Sequence, residues 1–416
     1  MDNKFKKDVS WNMISFIIIG ISGILLNILI GRYYGAQFLG TFNLIFAMYI
    51  LLSQIAVFGI HLSVLKYISH NDDEEELSII ISSALYLTSF TAIVVTIVSL
   101  FLSDFIGFIF SSKLVASSWI YIAIGLFFFA MNKVLLNIFN AKREMKFYAL
   151  TQALRYILAL AIMILFIIYN IDGVKLGLLI SISEIILFLI LLGKLSKVTY
   201  LSSIKASTLW FKKHYKFGHK SLVGGVMTEI NTRVDIIVLG VFVSESMVGV
   251  YTIALMIFEG FVQLAMVLRN NYNPIISKLF NEKKFNELSS MINKGKNKFY
   301  IVMFVLIMIS FMIYPYFVKI FLGEDFLASV DIYYILMIGV ILSSGYLPFE
   351  MLLSQCGFPK QQSIFKSFVV FGNFVLNFIL ISLYGLIGAA IATALVYVIS
   401  IFLLKLYSAK YLKIKI

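Results

Sequence analysis

Residues Glu229–Ala254 read EINTRVDIIVLGVFVSESMVGVYTIA. The stretch begins inside a long apolar segment, yet it holds Glu229, Arg233 and Asp235 within seven residues. At a bilayer centre each such charge costs roughly 2.5–3.5 kcal/mol on insertion scales, so a chain seldom keeps them there without use. The chain then turns at Ser244–Met247 and enters a second apolar segment. An earlier stretch, NILIGRYYGAQFLGTFNLIFA at Asn27–Ala47, echoes it. Gly31 matches Gly240, Gly40 matches Gly249 and Phe42 matches Tyr251, all at an offset of 209 in a chain of 416 residues. Two similar halves, the second opening on a charged span, point to a transporter rather than a soluble enzyme.

Composition agrees. Apolar residues make up 61% of the chain and charged residues 13%, where soluble domains carry about 25% charged residues. The net charge of +13 would suggest nucleic acid for a soluble protein. Here Lys and Arg collect in loops and set orientation, so no nucleic-acid partner is expected. A single cysteine, Cys356, excludes an internal disulfide. The start, MDNKFKKDVSW, resembles the charged end of a signal peptide, but the apolar run at 9–30 is too long and lacks a cleavage site. It reads as a retained first span.

A span takes about 20 apolar residues. Twelve candidates fit: 9–30, 38–60, 78–102, 117–139, 148–169, 175–193, 220–243, 247–269, 299–322, 329–354, 363–383 and 385–406. The fold class is therefore all-α and polytopic. The domains read as six-helix bundles over 1–200 and 218–416, with a cytoplasmic linker at 201–217. With the N-terminus inside, 26 basic residues fall on the cytoplasmic side and four (Arg32, Lys113, Lys175, Lys319) outside. That asymmetry places both termini in the cytoplasm. Lys212–Lys220, after Trp210 and Phe211, reads either as a basic interfacial helix on anionic lipid or as a solvated linker. The acidic run NDDEEE at Asn71–Glu76 reads as a solvated loop before a metal or sugar-nucleotide site.

Catalytic and cofactor signals are lacking. There is no P-loop and no G-x-S-x-G elbow. His61, His70, His214 and His219 have no partner at metal-ligand spacing, so no metal and no cofactor is expected.

Nine ionisable residues lie inside the spans: Lys133, Arg155, Arg233, Lys366, Glu184, Glu229, Asp235, Glu259 and Glu350. Lys133, Glu350 and Lys366 sit near cytoplasmic ends, where long side chains snorkel. With four basic against five acidic groups, any phosphate site has to be local. Glu229 and Arg233, four apart, share a helix face and can pair. Asp235 points about 200° away from Arg233. Arg233 is then either neutralised by Glu229 or free to fork onto an anionic substrate. Amides accompany the charges: Asn12, Asn27, Gln54, Asn132, Asn137, Gln152, Asn231, Gln263, Asn373 and Asn377. They suit sugar hydroxyls, and equally helix–helix hydrogen bonding.

Four segments carry a resemblance. LIGRYYGAQFLGTFNLI (Leu29–Ile45) and VDIIVLGVFVSESMVGVYTIAL (Val234–Leu255) resemble matching hairpins of Wzx-type polysaccharide flippases. RNNYNPIISKLFNEKKFNEL (Arg269–Leu288) and LLSQCGFPKQQSIFK (Leu352–Lys366) resemble that family's exits from spans eight and ten. The family belongs to the multidrug/oligosaccharidyl-lipid/polysaccharide exporter superfamily. The resemblance implies a MATE-like fold of two six-helix bundles around a central cavity. It implies an undecaprenyl-pyrophosphate-linked oligosaccharide as substrate, turned over in the bacterial cytoplasmic membrane for O-antigen or capsule assembly. Coupling to a proton or sodium gradient is implied, with membrane lipids, a polysaccharide polymerase and a chain-length regulator as partners.

Arg32 and Asp235 are carried over from the family's hairpins. Arg155 and Arg233 are candidates by position, with Gln152 and Asn231 beside them for the substrate. Asp235, Glu259 and Glu229 are the candidates for ion coupling. The competing readings are a drug or cation exporter of the same superfamily, using those carboxylates, and a membrane glycosyltransferase or polymerase.

The topology makes a direct prediction. In a Cys356→Ser background, Lys205→Cys and Lys284→Cys should both resist membrane-impermeant thiol reagents in intact cells. Labelling at 205 from outside contradicts twelve spans with inside termini.

Overall fold

A computed structural model describes residues 3–196, 206–412 and 414. Position 205 and the first five residues of the expected linker lie outside the described residues. Contacts divide the chain into two compact units, Met1–Arg233 and Val234–Ile416.

The first unit opens with α1 (Asn3–Val57), 55 residues long. At about 1.5 Å per residue it reaches about 80 Å, far more than a hydrocarbon core of about 30 Å. It is two arms joined at Gly35, whose φ of 82° and ψ of 175° leave the helical region. A side chain would be strained there. Phe58 and Gly59, both at positive φ, end the second arm, and α2 (Ile60–Ile68) follows. Next, α3 (Glu74–Phe101) starts at Asp73, whose carboxylate accepts from the Glu75 N–H at 3.1 Å. Glu74, Glu75 and Glu76 fill its first turn. The acidic run is thus a cap and a set of charges at the positive helix end.

After α4 (Ser103–Ile109), α5 (Lys113–Ala123) bends by 44° into α6 (Gly125–Ala141). Two further helices, α7 (Met145–Ile168) and α8 (Leu178–Leu195), complete the packing. Val134, Leu135, Leu187, Leu191 and Trp210 belong to one buried core.

Trp210 belongs to α9 (Thr208–Phe242), a single 35-residue helix that runs from the first unit into the second. Its first turns pack on the first unit. His214 is fully buried, 2.8 Å from Ser63 Oγ and 3.2 Å from the Ile80 carbonyl. A carbonyl only accepts, so Nε2 carries the proton and Nδ1 accepts from the Ser63 hydroxyl. Lys212, Lys216 and Lys220 stay exposed on the other side. Two glycines permit this docking. A Cβ at Gly218 would lie 2.3 Å from the Phe58 carbonyl oxygen, and one at Gly59 would lie 2.7 Å from that of Gly218.

The second unit continues with α10 (Glu245–Asn281) and α11 (Phe285–Phe321), each 37 residues long and so extending beyond a bilayer core. Then come α12 (Ser329–Ser343), α13 (Leu352–Gln355) and α14 (Pro359–Tyr407). The 49-residue α14 breaks at Gly385, with φ 54°. Ile276, Leu288, Phe349, Phe365 and Leu404 share a buried core. The span expected at 329–354 stops instead at Ser343. Residues beyond it form short turns, because Pro348 has no N–H to continue a helix. Gly345 there presses on the Tyr300 ring, which a Cβ would approach to 2.3 Å.

Eight helices among the described residues are long and apolar enough to cross a membrane, or nine with α5–α6 as one span. Dividing α1 and α14 at their glycines, and counting the more highly charged α9, is consistent with the twelve expected. Large apolar side chains such as Phe101, Ile168, Met312, Phe371 and Phe402 are exposed, as a lipid-facing surface requires.

The glycine contact is testable. Gly218→Ala should lower stability by about 1–3 kcal/mol through overpacking against fixed backbone. Gly224→Ala, where nothing lies within 4 Å, should not. Equal melting temperatures for the two variants in detergent would argue against the contact.

Candidate functional site

The site grows from the second arm of α1. Phe42, Phe46 and Tyr49 recur at helical spacing and stack, with centroids 6.0 and 6.2 Å apart. Tyr49 meets Phe129 of α6 edge-on at 5.6 Å, and its hydroxyl donates to the Gly125 carbonyl at 3.2 Å. Four rings thus form one ladder inside the first unit.

Three cations lie along it. The Arg233 guanidinium sits 5.7 Å from the Phe46 centroid. Phe129 faces both Arg155, at 4.9 Å, and Lys133, at 5.8 Å. Negative ring faces attract such groups, most strongly where water is excluded.

The cations differ in how they are neutralised. Arg155 is closed off: its Nε lies 2.6 Å from Glu184 Oε1, and Nη2 donates to Oε2 at 3.3 Å. Asn132 Nδ2 donates to the same carboxylate at 2.7 Å, and the Glu184 side chain is 1% exposed. Lys133 donates to Gln54 Oε1 at 2.9 Å, while Gln54 Nε2 donates to Glu229 Oε1 at 3.2 Å. One amide therefore relays between an ammonium and a carboxylate. Arg233 has no carboxylate within ion-pair distance among the described residues, and its buried Nε has no hydrogen-bond partner.

The possible Glu229–Arg233 pair is therefore not formed, because the Gln54 amide holds Glu229. Lys133, read as a snorkelling lysine, instead points into the ladder. Phe46 and Phe129 escaped the sequence, and Gln54 stood there only as one of the amides within the spans. The recurrence of aromatics at 42, 46 and 49 on one helix face was the available signal. Gln152 is half-buried on α7, hydrogen-bonded to Tyr148 one turn before Arg155. Asn231 is half-buried on α9 between Glu229 and Arg233. Arg32 is exposed beside the Gly35 bend, and no contact joins it to the ladder.

Asp235 lies in the second unit, 7% exposed. Its Oδ2 accepts from the Tyr251 hydroxyl at 3.0 Å, and Oδ1 accepts from the Ile236 N–H at 2.9 Å. Tyr251 is also hydrogen-bonded to Thr393. Glu259 is half-buried and acts electrostatically on Tyr251 and Tyr397. Among the described residues no group of three or more His, Cys, Asp or Glu could hold a metal ion.

Comparison with known proteins gives these features a setting. A protein of Haloferax volcanii described as a probable flippase, AglR, is 30% identical over 173 residues, 39% of this chain. That match spans about a third (34%) of the relative's length. Among solved structures, the lipid II flippase MurJ in an inward closed conformation superposes with a TM-score of 0.78 at 19% identity, covering 97% of this chain and 88% of that one. An inward-facing multidrug resistance MATE family transporter of the MOP superfamily gives 0.81 at 15% identity, covering 94% and 95%. These likenesses establish a MATE-like, all-α membrane fold. The sequence itself matches the family described as polysaccharide biosynthesis protein over residues 5–280, and with well over half its length so matched, the chain belongs to that family.

Proposed function

We propose that the chain is a flippase that moves undecaprenyl-pyrophosphate-linked oligosaccharide from the inner to the outer leaflet of the bacterial cytoplasmic membrane, for O-antigen or capsule assembly. The observation that carries this reading is Arg233: a half-buried guanidinium on an aromatic ladder, its Nε buried without a hydrogen-bond partner and, among the described residues, with no carboxylate within ion-pair distance. A diphosphate supplies the missing charge and matches the planar fork in bidentate fashion. Lys133, joined to Glu229 only through the Gln54 amide, adds positive potential, while ring faces and the amides of Gln152 and Asn231 suit sugar rings and hydroxyls. Arg32, exposed at the Gly35 bend, is placed to meet the headgroup on its way in or out.

Transport runs by alternating access. Asp235 is the coupling group, taking up a proton or sodium ion beside Tyr251 and Thr393, with Glu259 next in line. Glu229, engaged by Gln54, is the weakest of the three candidates. A polymerase and a chain-length regulator are the expected partners downstream, and both termini are cytoplasmic.

The cation-exporter reading is less well supported. Of the carboxylates it would use, Glu229 accepts from Gln54 and Asp235 from Tyr251. An enzyme is disfavoured because the similar proteins are described as a flippase and transporters.

Complementation of a flippase-null strain tests the site, with surface polysaccharide and protein level read together. Arg233→Ala should abolish surface polysaccharide at normal protein level. Arg233→Lys, which keeps charge and loses the fork, should retain on the order of a tenth. Glu229→Ala/Arg233→Ala should not restore function, and full polysaccharide in that strain would remove Arg233 from the substrate site. Asp235→Asn should leave a folded protein whose flipping no longer follows the ion gradient. Unchanged gradient dependence in both Asp235→Asn and Glu259→Gln would exclude them as carriers.

A further inference from the structure

A second group of cations gathers away from the ladder, at one end of the second unit. Arg269 comes from α10, Lys296 from α11, and Lys366 and Lys405 from α14. They converge on the broken connection between α12 and α13. Arg269 Nη1 lies 3.0 Å from Glu350 Oε2, and Lys366 binds the other oxygen of the same carboxylate. Four residues earlier, the buried Tyr346 ring takes the other two: Lys296 Nζ is 5.0 Å from its centroid and Lys405 Nζ 4.7 Å. Their ammonium groups are therefore at most about 10 Å apart. Lys296 also donates to Asn293 Oδ1 at 2.9 Å and to the Tyr346 hydroxyl at 3.4 Å. Among the described residues neither lysine has a carboxylate within ion-pair distance.

Surface lysines that merely snorkel fan out into water. These converge instead, with four cations around one carboxylate and one ring. Such an arrangement leaves three positive charges unanswered, and like charges held this close repel. The surroundings indicate what answers them. Lys405 is flanked on α14 by Phe402 and Leu406, both well exposed and apolar. The cluster thus combines a cationic patch with an adjoining apolar surface, at the end of the unit that the basic-residue asymmetry assigns to the cytoplasm. Basic pockets between membrane helices on that side recognise anionic headgroups.

We propose that this cluster binds a lipid headgroup bearing two phosphates, with Lys296 and Lys405 as its primary contacts and Glu350 as an internal competitor for Arg269 and Lys366. Two sources supply such a headgroup: a diphosphatidyl phospholipid of the bulk membrane, or a prenyl diphosphate. The proposed binding does not depend on the transport reading, since the phospholipid source needs no flipping.

The test uses the purified full chain in detergent, with lipid retention measured by native mass spectrometry. The probes are tetraoleoyl diphosphatidylglycerol, dioleoyl phosphatidylglycerol and farnesyl diphosphate. A two-phosphate probe should bind at least about tenfold more tightly than phosphatidylglycerol, since one more phosphate engages the cluster. Lys296→Gln/Lys405→Gln should weaken it about 30-fold. Lys294→Gln/Lys298→Gln, turned about 200° from Lys296 on the same helix, should leave it within about threefold. Glu350→Gln should tighten it, which a merely structural carboxylate would not do, and this variant decides the matter if the double lysine variant unfolds. Whichever two-phosphate probe follows the lysines identifies the source. Equal loss in both lysine pairs, no response of either two-phosphate probe, or weaker binding in Glu350→Gln overturns the proposal.

Discussion

Hydrocarbon cannot solvate a charge, so every ionised group drawn into this protein has to be answered by another part of it. The first unit does this in three ways. Arg155 and Glu184 close on each other, with Asn132 donating to the same carboxylate. Lys133 and Glu229 are joined through the Gln54 amide, whose oxygen accepts from one and whose nitrogen donates to the other. Arg233 has the Phe46 ring face and, among the described residues, no carboxylate within ion-pair distance. A buried pair is costly to break because it strands a charge, so the first two arrangements are stable fixtures. The third leaves a guanidinium able to accept an anion without first losing a partner.

The aromatic ladder makes that difference possible. Its rings come from one face of α1 and from α6, and they present successive faces to cations from α6, α7 and α9. A π-face attracts a cation less strongly than a carboxylate does, and it does not compete with an incoming phosphate through charge. Rings at this spacing also stiffen the wall, since each is fixed by the next. Tyr49 is anchored further by its hydroxyl on the Gly125 carbonyl, at the bend between α5 and α6.

Glycine sets the backbone course around this wall. Gly35 and Gly385 break helices too long for one span, and Gly59 and Gly218 let α9 press on the α1–α2 break. That contact fixes the start of the helix whose later residues bring Glu229 and Arg233 to the ladder. The second unit places its charges differently. Asp235 is held by a tyrosine hydroxyl and its own backbone, while the Arg269–Glu350–Lys366 group gathers at a broken connection.

The sequence by itself determined that this is an all-α membrane protein with spans close to those observed, because a run of about 20 apolar residues has few other places to go. It also put Arg155, Glu184, Glu229, Arg233, Asp235 and Glu259 within apolar runs, since that is read from position along the chain. Partnership did not follow, because it depends on helices far apart in the chain. Helical spacing suggested Glu229 with Arg233, yet Gln54, 175 residues away, holds Glu229. Lys133 read as a snorkelling lysine from its nearness to a span end, yet packing turned it toward Phe129 and Gln54. The end of α12 at Ser343 was hidden in the same way, because the apolar run continues past it while Pro348 and the Gly345–Tyr300 contact break the helix. Hydrophobicity along the chain is a local property, and the choice of partner across a bundle is made by the tertiary structure alone.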